Sequence, residues 1–251
     1  MSTSATNTRA HEHTVVTHNK WLAARTELLR EEKEFTKQRD ALNRRRLELP
    51  WEKVEKQYVF DGPQGKETLS DLFGGRSQLI VYHFMFGPDW KEGCPSCSFL
   101  ADHIDGALAH LNHHDVTLIA VSRAPISKID AFKTRMGWRF PWVSSHDNDF
   151  NFDYHVSATK EDLAKGEIYY NYRMFKSRGE EQPGTSVFYK DTADHDTIYH
   201  TYSSYARGGD LLLGTYNYLD ITPLGRNEVR PNTQSWIRHH DRYDDGGLVN
   251  L

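Results

Sequence analysis

The nine residues from Gln78 to Phe86 (Gln-Leu-Ile-Val-Tyr-His-Phe-Met-Phe) are apolar on both sides of a pleat and are interrupted only by His83. A strand of that kind needs cover above and below, which confines the chain to sheets flanked by helices. The segments around it fit this frame. Tyr58-Val59-Phe60 runs into the turn Asp61 to Gly65, and a short helix from Leu69 to Phe73 is broken by Gly74-Gly75. After the strand, a helix opens at Cys94 and runs to about His113, followed by a second buried strand from Val116 to Val121. Pro125 to Met136 reads as another helix, stopped by Gly137, and Phe140 to Val143 as a short extended segment. Residues 144–183 form a polar, aromatic-rich insertion. Two β runs, Thr185 to Tyr189 and Thr197 to Tyr202, flank turn residues, and Asp210 is placed to cap a last helix, Leu211 to Leu219. Strand–helix–strand crossovers followed by a hairpin and a helix predict an α/β fold with one mixed sheet.

Before all this, Trp21 to Leu49 carries no Gly or Pro and repeats Trp21, Leu28, Phe35, Leu42 and Leu49 every seven residues. That spacing predicts one long amphipathic helix. Charged companions at Arg25, Glu32, Arg39 and Arg46 make the stripe narrow for a self-sufficient coiled coil. The stripe is expected to pack on its own domain; a homodimer exchanging this arm is the alternative.

The 251 residues are 26% charged with a formal net charge of −4, which gives no general attraction to nucleic acid. No stretch reaches the roughly 20 apolar residues of a membrane span, and the polar stretch from Met1 to His18 lacks an apolar signal core. The expectation is a cytoplasmic protein without nucleic-acid or membrane partners.

Only two cysteines occur, Cys94 and Cys97, spaced C-x-x-C where a strand enters a helix. Pro95 suits the first helical position, so Cys94 falls at the N-cap, where unpaired N–H groups and the helix dipole favour a thiolate. Cys94 is therefore predicted as nucleophile and Cys97, one turn deeper, as the thiol that resolves the mixed disulfide. A structural zinc site is the alternative, but His113 lies about 24 Å along the helix from Cys97 at 1.5 Å rise per residue. Zinc would need ligands from elsewhere, such as His155 or His239-His240, and no metal or dissociable cofactor is expected. Trp90 and Lys91, in the loop before Cys94, are candidates for a substrate groove or for surface positions. The tyrosines of the second half, among them Tyr169, Tyr170, Tyr172 and Tyr205, are expected to pack.

The motif Gly93-Cys94-Pro95-Ser96-Cys97, the strand Val81 to Phe86, Phe60-Asp61-Gly62-Pro63 with Leu69 to Gly75, the run Thr201 to Gly208 and the stretch Leu219 to Arg226 together resemble one group. They are similar to the thioredoxin superfamily and, within it, to the bacterial domain-of-unknown-function 899 family. The resemblance implies a thioredoxin-like sheet over residues 51–225, preceded by a tail at 1–19 and a helical arm at 20–50 and followed by a C-terminal tail at 226–251. It implies thiol–disulfide exchange with a disulfide-containing protein or small molecule. It also places Pro95, Gly184 and Thr185 beside the substrate, with Pro183 a place or two early for the thioredoxin proline. His83 matches the strand position where thioredoxins hold a buried acid, so it is either a base for Cys97 or a core histidine hydrogen-bonded to the backbone. Peroxiredoxins carry a hydroxyl residue three places before their cysteine, where Lys91 stands here. Peroxide reduction is therefore the second reading, and a non-catalytic interaction module the third.

Overall fold

The computed structural model describes residues 13–177, 179–228 and 233–243. Residues 1–12 and 244–251, within the two stretches read as tails, lie outside that description. Two compact units are present: the stretch to Pro50 with Thr215–Asn227, and Trp51–Gly214 with Glu228 onward. In the first, α1 is a single helix, His18–Leu47, with Arg44, Arg45 and Arg46 in its last turn, where cations complement the carbonyl end of the helix. It stops short of Pro50 because the residue before a proline is pushed out of the helical region. None of its residues is buried, and Trp21, Phe35 and Leu42 are exposed.

The second unit begins with β1 (Glu52–Lys53) and the hairpin β2 (Val59–Gly62) and β3 (Gly65–Thr68), and continues into β4 (Gln78–His83). Then come α2 (Pro95–Ala101), α3 (Leu108–His113), β5 (Val116–Ser122), α4 (Ile126–Arg135) and β6 (Trp142–Ser144). The insertion folds as α5 (Phe150–Asp153), α6 (Lys160–Ala164) and a separate hairpin of β7 (Ile168–Tyr170) and β8 (Arg173–Phe175). The strands β9 (Gly184–Asp191) and β10 (Thr197–Tyr205) return to the sheet; α7 (Gly214–Asp220) then passes into the first unit.

The main sheet has the order β1-β10-β9-β4-β5-β6-β2-β3. β4, β5 and β6 are parallel, while β9 runs antiparallel to both β4 and β10. A central strand feeding a helix, a parallel crossover partner and an antiparallel hairpin on the other flank make this a thioredoxin-like α/β fold. Side-chain alternation along β4 splits the core: Leu79, Val81 and His83 share a face with Phe60, Phe150 and Phe188, while Tyr82 points to the other. Fully burying each such ring or branched chain contributes roughly 1.5–3 kcal/mol.

Three local readings need correction. The helix expected from Cys94 to His113 is two helices, separated by turns at 102–107. Asp105 in that break accepts the backbone N–H groups of Arg139 (2.8 Å) and Phe140 (2.9 Å), and Asp102 accepts the indole N–H of Trp138 (2.8 Å). Helix-terminal carboxylates thus bind the segment ahead of β6 instead of extending one rod. The helix does not start at Leu211: Asp210 sits inside a 3-10 segment, Ala206–Leu212, paired with Arg207. The stretch read as a C-terminal tail is packed between 233 and 243, with Ile237 and His239 buried.

Candidate active site

The approach to Cys94 is set by Gly93. A Cβ there would lie 2.6 Å from the ring of Phe84 and 2.7 Å from that of Phe132, so only glycine lets the loop pass between them. Cys94 then takes the extended N-cap conformation (φ −61°, ψ 130°), with Pro95 at the start of α2. Its carbonyl accepts the N–H of Ser98 (2.9 Å) and the Ser98 hydroxyl (3.0 Å), closing the first turn.

The two cysteines lie 4 Å apart. The Cys94 thiol is held down to about 7, chiefly by a hydrogen bond from the Cys97 thiol and further by the N–H groups of Cys97 and Ser96 and the Ser96 hydroxyl. Cys97 is only 2% exposed, and burial followed by the proximity of Cys94 pushes its thiol well above the ordinary range. The pair is therefore unequal: the thiol of half-buried Cys94 is held down by donors, and that of fully buried Cys97 is pushed up. The Tyr82 hydroxyl lies beside Cys97 and donates to its backbone carbonyl (3.5 Å). Burial raises this phenol well above 10, so it stays a neutral donor.

A cavity of about 270 Å³ opens beside Cys97, walled also by Ser96, Tyr82, Pro183, Gly184 and Thr185; Cys94 adjoins it without lining it. Gly184 pairs with Tyr205, and a Cβ on it would sit 2.8 Å from that ring, which accounts for glycine at this register. Thr185 pairs with Tyr82 across β9 and β4, on the dithiol side of the sheet. Pro95, Gly184 and Thr185 thus lie with the cysteines. Trp90 does not line the cavity; its indole packs over Gly87 and its carbonyl takes the ammonium of Lys128 (3.3 Å).

His83 is also not brought to the dithiol, and its proposed role as a base for Cys97 is corrected. Strand alternation turns it to the opposite face, where its ring packs on Phe150 and Tyr154 and its Nε2 meets the Ser186 hydroxyl at 2.9 Å. Burial depresses it to about 3, so it is neutral. Its neighbour Tyr82 holds the place beside Cys97.

Sequence reasoning missed a second anchor. His239, 2% exposed, donates from Nε2 to the Gly93 carbonyl (2.8 Å), a bond that fixes its tautomer and leaves Nδ1 to accept from Arg135 (3.2 Å). Arg135 also grips Asp241 (2.8 and 2.9 Å) and Glu92 (2.8 Å), and Arg242 pairs with Glu92 (2.8 Å). These contacts strap the C-terminal segment across the loop leading to Cys94. The partners are up to 150 residues apart, and no local pattern announces them. Among the described residues, no group of three or more His, Cys, Asp or Glu could hold a metal ion, and no helix is long and apolar enough to cross a membrane.

Comparison with known proteins gives one family. Residues 10–243 match the sequence model of the family described as bacterial protein of unknown function (DUF899), and the chain belongs to that family. No curated protein matches. Among solved structures, the chain is similar to a mutant of peroxiredoxin Q from Xanthomonas campestris, with 15% identity and a TM-score of 0.45 over 68% of this chain and 98% of that one. It is similar to the peroxidoxin BcpB from Mycobacterium tuberculosis (13% identity, TM-score 0.40, 68% of this chain and 97% of that one). A thiol:disulfide interchange protein DsbE from Chlorobium tepidum, so described with reservation, gives 13% identity and a TM-score of 0.37 over 61% of this chain and 86% of that one.

Proposed function

We propose that this member of the DUF899 family is a dithiol–disulfide oxidoreductase with Cys94 as nucleophile and Cys97 as resolving thiol. The observation that carries the reading is the inequality of the two sulfurs at the mouth of α2: Cys94 held near 7 by donors, Cys97 buried and pushed up. In the first step the Cys94 thiolate attacks a substrate disulfide, forming a Cys94–substrate disulfide and expelling the other substrate sulfur as a thiolate. Cys97 then loses its proton and attacks Cys94, closing the protein disulfide and releasing the second substrate thiol. Two electrons pass to the substrate, and a thiol reductant restores the pair. Pro183, Gly184 and Thr185 form the wall of the cavity against which a substrate segment would lie.

The test is the reduction of insulin and of glutathione disulfide, with dithiothreitol regenerating the protein. Turnover is expected for the native chain, none for Cys94→Ser, and a trapped glutathione adduct on Cys94 for Cys97→Ser. Iodoacetamide is expected to label Cys94 with half-maximal rate near pH 7 and well before Cys97. Equal, slow labelling with no turnover refutes the reading. Peroxide consumption without disulfide reduction transfers the site to the peroxidase class.

A further inference from the structure

On the face of the sheet that carries His83, a second cavity of about 470 Å³ is walled by Tyr58, Tyr154, Tyr172, Tyr205, His155 and His200. That volume lies in the range of small-molecule sites, about 300–1,000 Å³. We propose that it binds an uncharged planar aromatic compound carrying an oxygen acceptor, packed against Tyr172 and hydrogen-bonded to His200.

The rings are fixed before any ligand arrives. Tyr58 donates its hydroxyl to Asp153 (2.7 Å), Tyr172 to the Ser203 carbonyl (3.0 Å) and Tyr205 to the Tyr154 carbonyl (3.1 Å). With the phenol ends tied down, the cavity is offered ring faces and edges. Tyr172 meets Tyr205 at 69° and Tyr154 meets His200 at 83°, so a flat ring finds both face and edge contacts.

Two of these residues stand where the backbone disfavours them. Asn171 and Tyr172 are the central pair of the two-residue turn between β7 and β8, with φ of 52° and 61°, and His155 follows α5 with φ of 55°. Such turns and helix ends call for glycine or asparagine. A large ring in the left-handed region, 63% exposed at Tyr172, buries little of its own surface, and strain of this kind gathers at binding sites.

The donor is set from beneath. His83 Nε2 meets Ser186 (2.9 Å), Ser186 meets Ser203 (2.8 Å) and Ser203 meets His200 Nε2 (2.7 Å). Two hydroxyls between two imidazole nitrogens leave one imidazole to donate and one to accept. His83 Nδ1 is buried without a partner among the described residues. An orphaned lone pair is tolerated better than an orphaned N–H, so His83 donates through Nε2. His200 therefore accepts at Nε2 and carries its proton on Nδ1. The carboxylate of Glu52 lies 3.5 Å from that atom on a side chain 82% exposed, too long for a good hydrogen bond. At the rim Lys56 pairs with Asp149 and Asp153 and Lys53 with Glu55, while Glu52 stands exposed beside His200, a lining that disfavours an anionic ligand.

The inference is independent of the dithiol chemistry. Its test is calorimetric titration of the full chain with 4-hydroxybenzamide, with maltose as the non-aromatic control. Binding is expected with Kd in the range of about 0.1–1 mM. Tyr172→Gly relieves the left-handed residue, so its melting temperature is expected within about 3 °C of the native value while affinity falls at least about tenfold. Tyr172→Asn is expected to behave alike, and His200→Phe to keep the wall but lose the acceptor contact. No binding of 4-hydroxybenzamide at 5 mM (about five times the weakest Kd expected), unchanged affinity in a folded Tyr172→Gly chain, or tighter binding of maltose overturns the proposal.

Discussion

Replacing His239 with alanine tests whether the C-terminal strap sets the geometry of the thiol site. The variant removes the donor from the Gly93 carbonyl, a 2.8 Å bond to a group enclosed by protein. Leaving such an acceptor unpaired costs about 1–3 kcal/mol. Arg135 loses one partner but keeps Asp241 and Glu92, so that contact contributes little, about 0.5 kcal/mol. The imidazole edge also packs on Phe132, with centroids 5.3 Å apart, and the space it vacates adds about 1–2 kcal/mol. A loss of about 3–5 kcal/mol in urea unfolding of the reduced protein is expected, at unchanged denaturant slope. The chemical consequence follows from the peptide joining Gly93 to Cys94, which is gripped at both ends: the carbonyl by His239 and the N–H by the Met85 carbonyl (3.0 Å). With one grip gone, the N-cap loosens and the Ser96 and Cys97 N–H groups point less well at the Cys94 sulfur. The pH midpoint of Cys94 alkylation is then expected to rise from near 7 toward the ordinary thiol value, about 8.5. His239→Gln, whose amide N–H can still reach Gly93, should restore most of it. A stability change under about 1 kcal/mol, or an unmoved midpoint in a folded protein, refutes the reasoning.

Other perturbations have equally definite outcomes. Gly93→Ala drives a methyl into the rings of Phe84 and Phe132 and should destabilise by about 1–3 kcal/mol, read by urea unfolding, with slower Cys94 labelling. His83 falls from an unfolded value of 6.5 to about 3, so the unfolded chain binds its proton first. Its contribution is intact above 6.5 and is lost as pH falls toward 3, at up to about 1.4 kcal/mol per pH unit. The difference in unfolding free energy between His83→Asn and the native chain should therefore change with pH only in that window. Glu181, 2% exposed, accepts from Arg123 (2.8 Å) and Ser157 (2.8 Å), so Arg123→Met leaves a buried carboxylate without its cation and with only the Ser157 hydroxyl. A loss of about 3–5 kcal/mol is expected by thermal or urea unfolding, smaller at acid pH where the carboxyl is protonated.

Local chemistry made much of the fold legible. The two-sided apolar run placed β4 at the sheet centre, and Pro95 after Cys94 placed the dithiol at a helix start, because each signal is confined to a few neighbouring residues. The break between α2 and α3 was illegible, since it depends on Asp102 and Asp105 finding the segment 138–140 in space. The two readings of His83, base or core histidine, could not be separated in the sequence because a one-residue step along a strand reverses the face, and the register with β9 puts Tyr82 on the side of Thr185. The strap and the tyrosine cavity were unreadable for the same reason: residues more than a hundred positions apart build both, and the aromatic pattern of the second half looked like ordinary packing.

The strap also gives the protein a timetable. His239 follows Gly93 by 146 residues, an interval of roughly 7–30 s at ribosomal speeds of about 5–20 residues per second. During that interval both cysteines have already been made while the clamp on their loop has not. The loop before Cys94 therefore acquires its clamp only once residues 233–243 have been made, well after the two cysteines themselves.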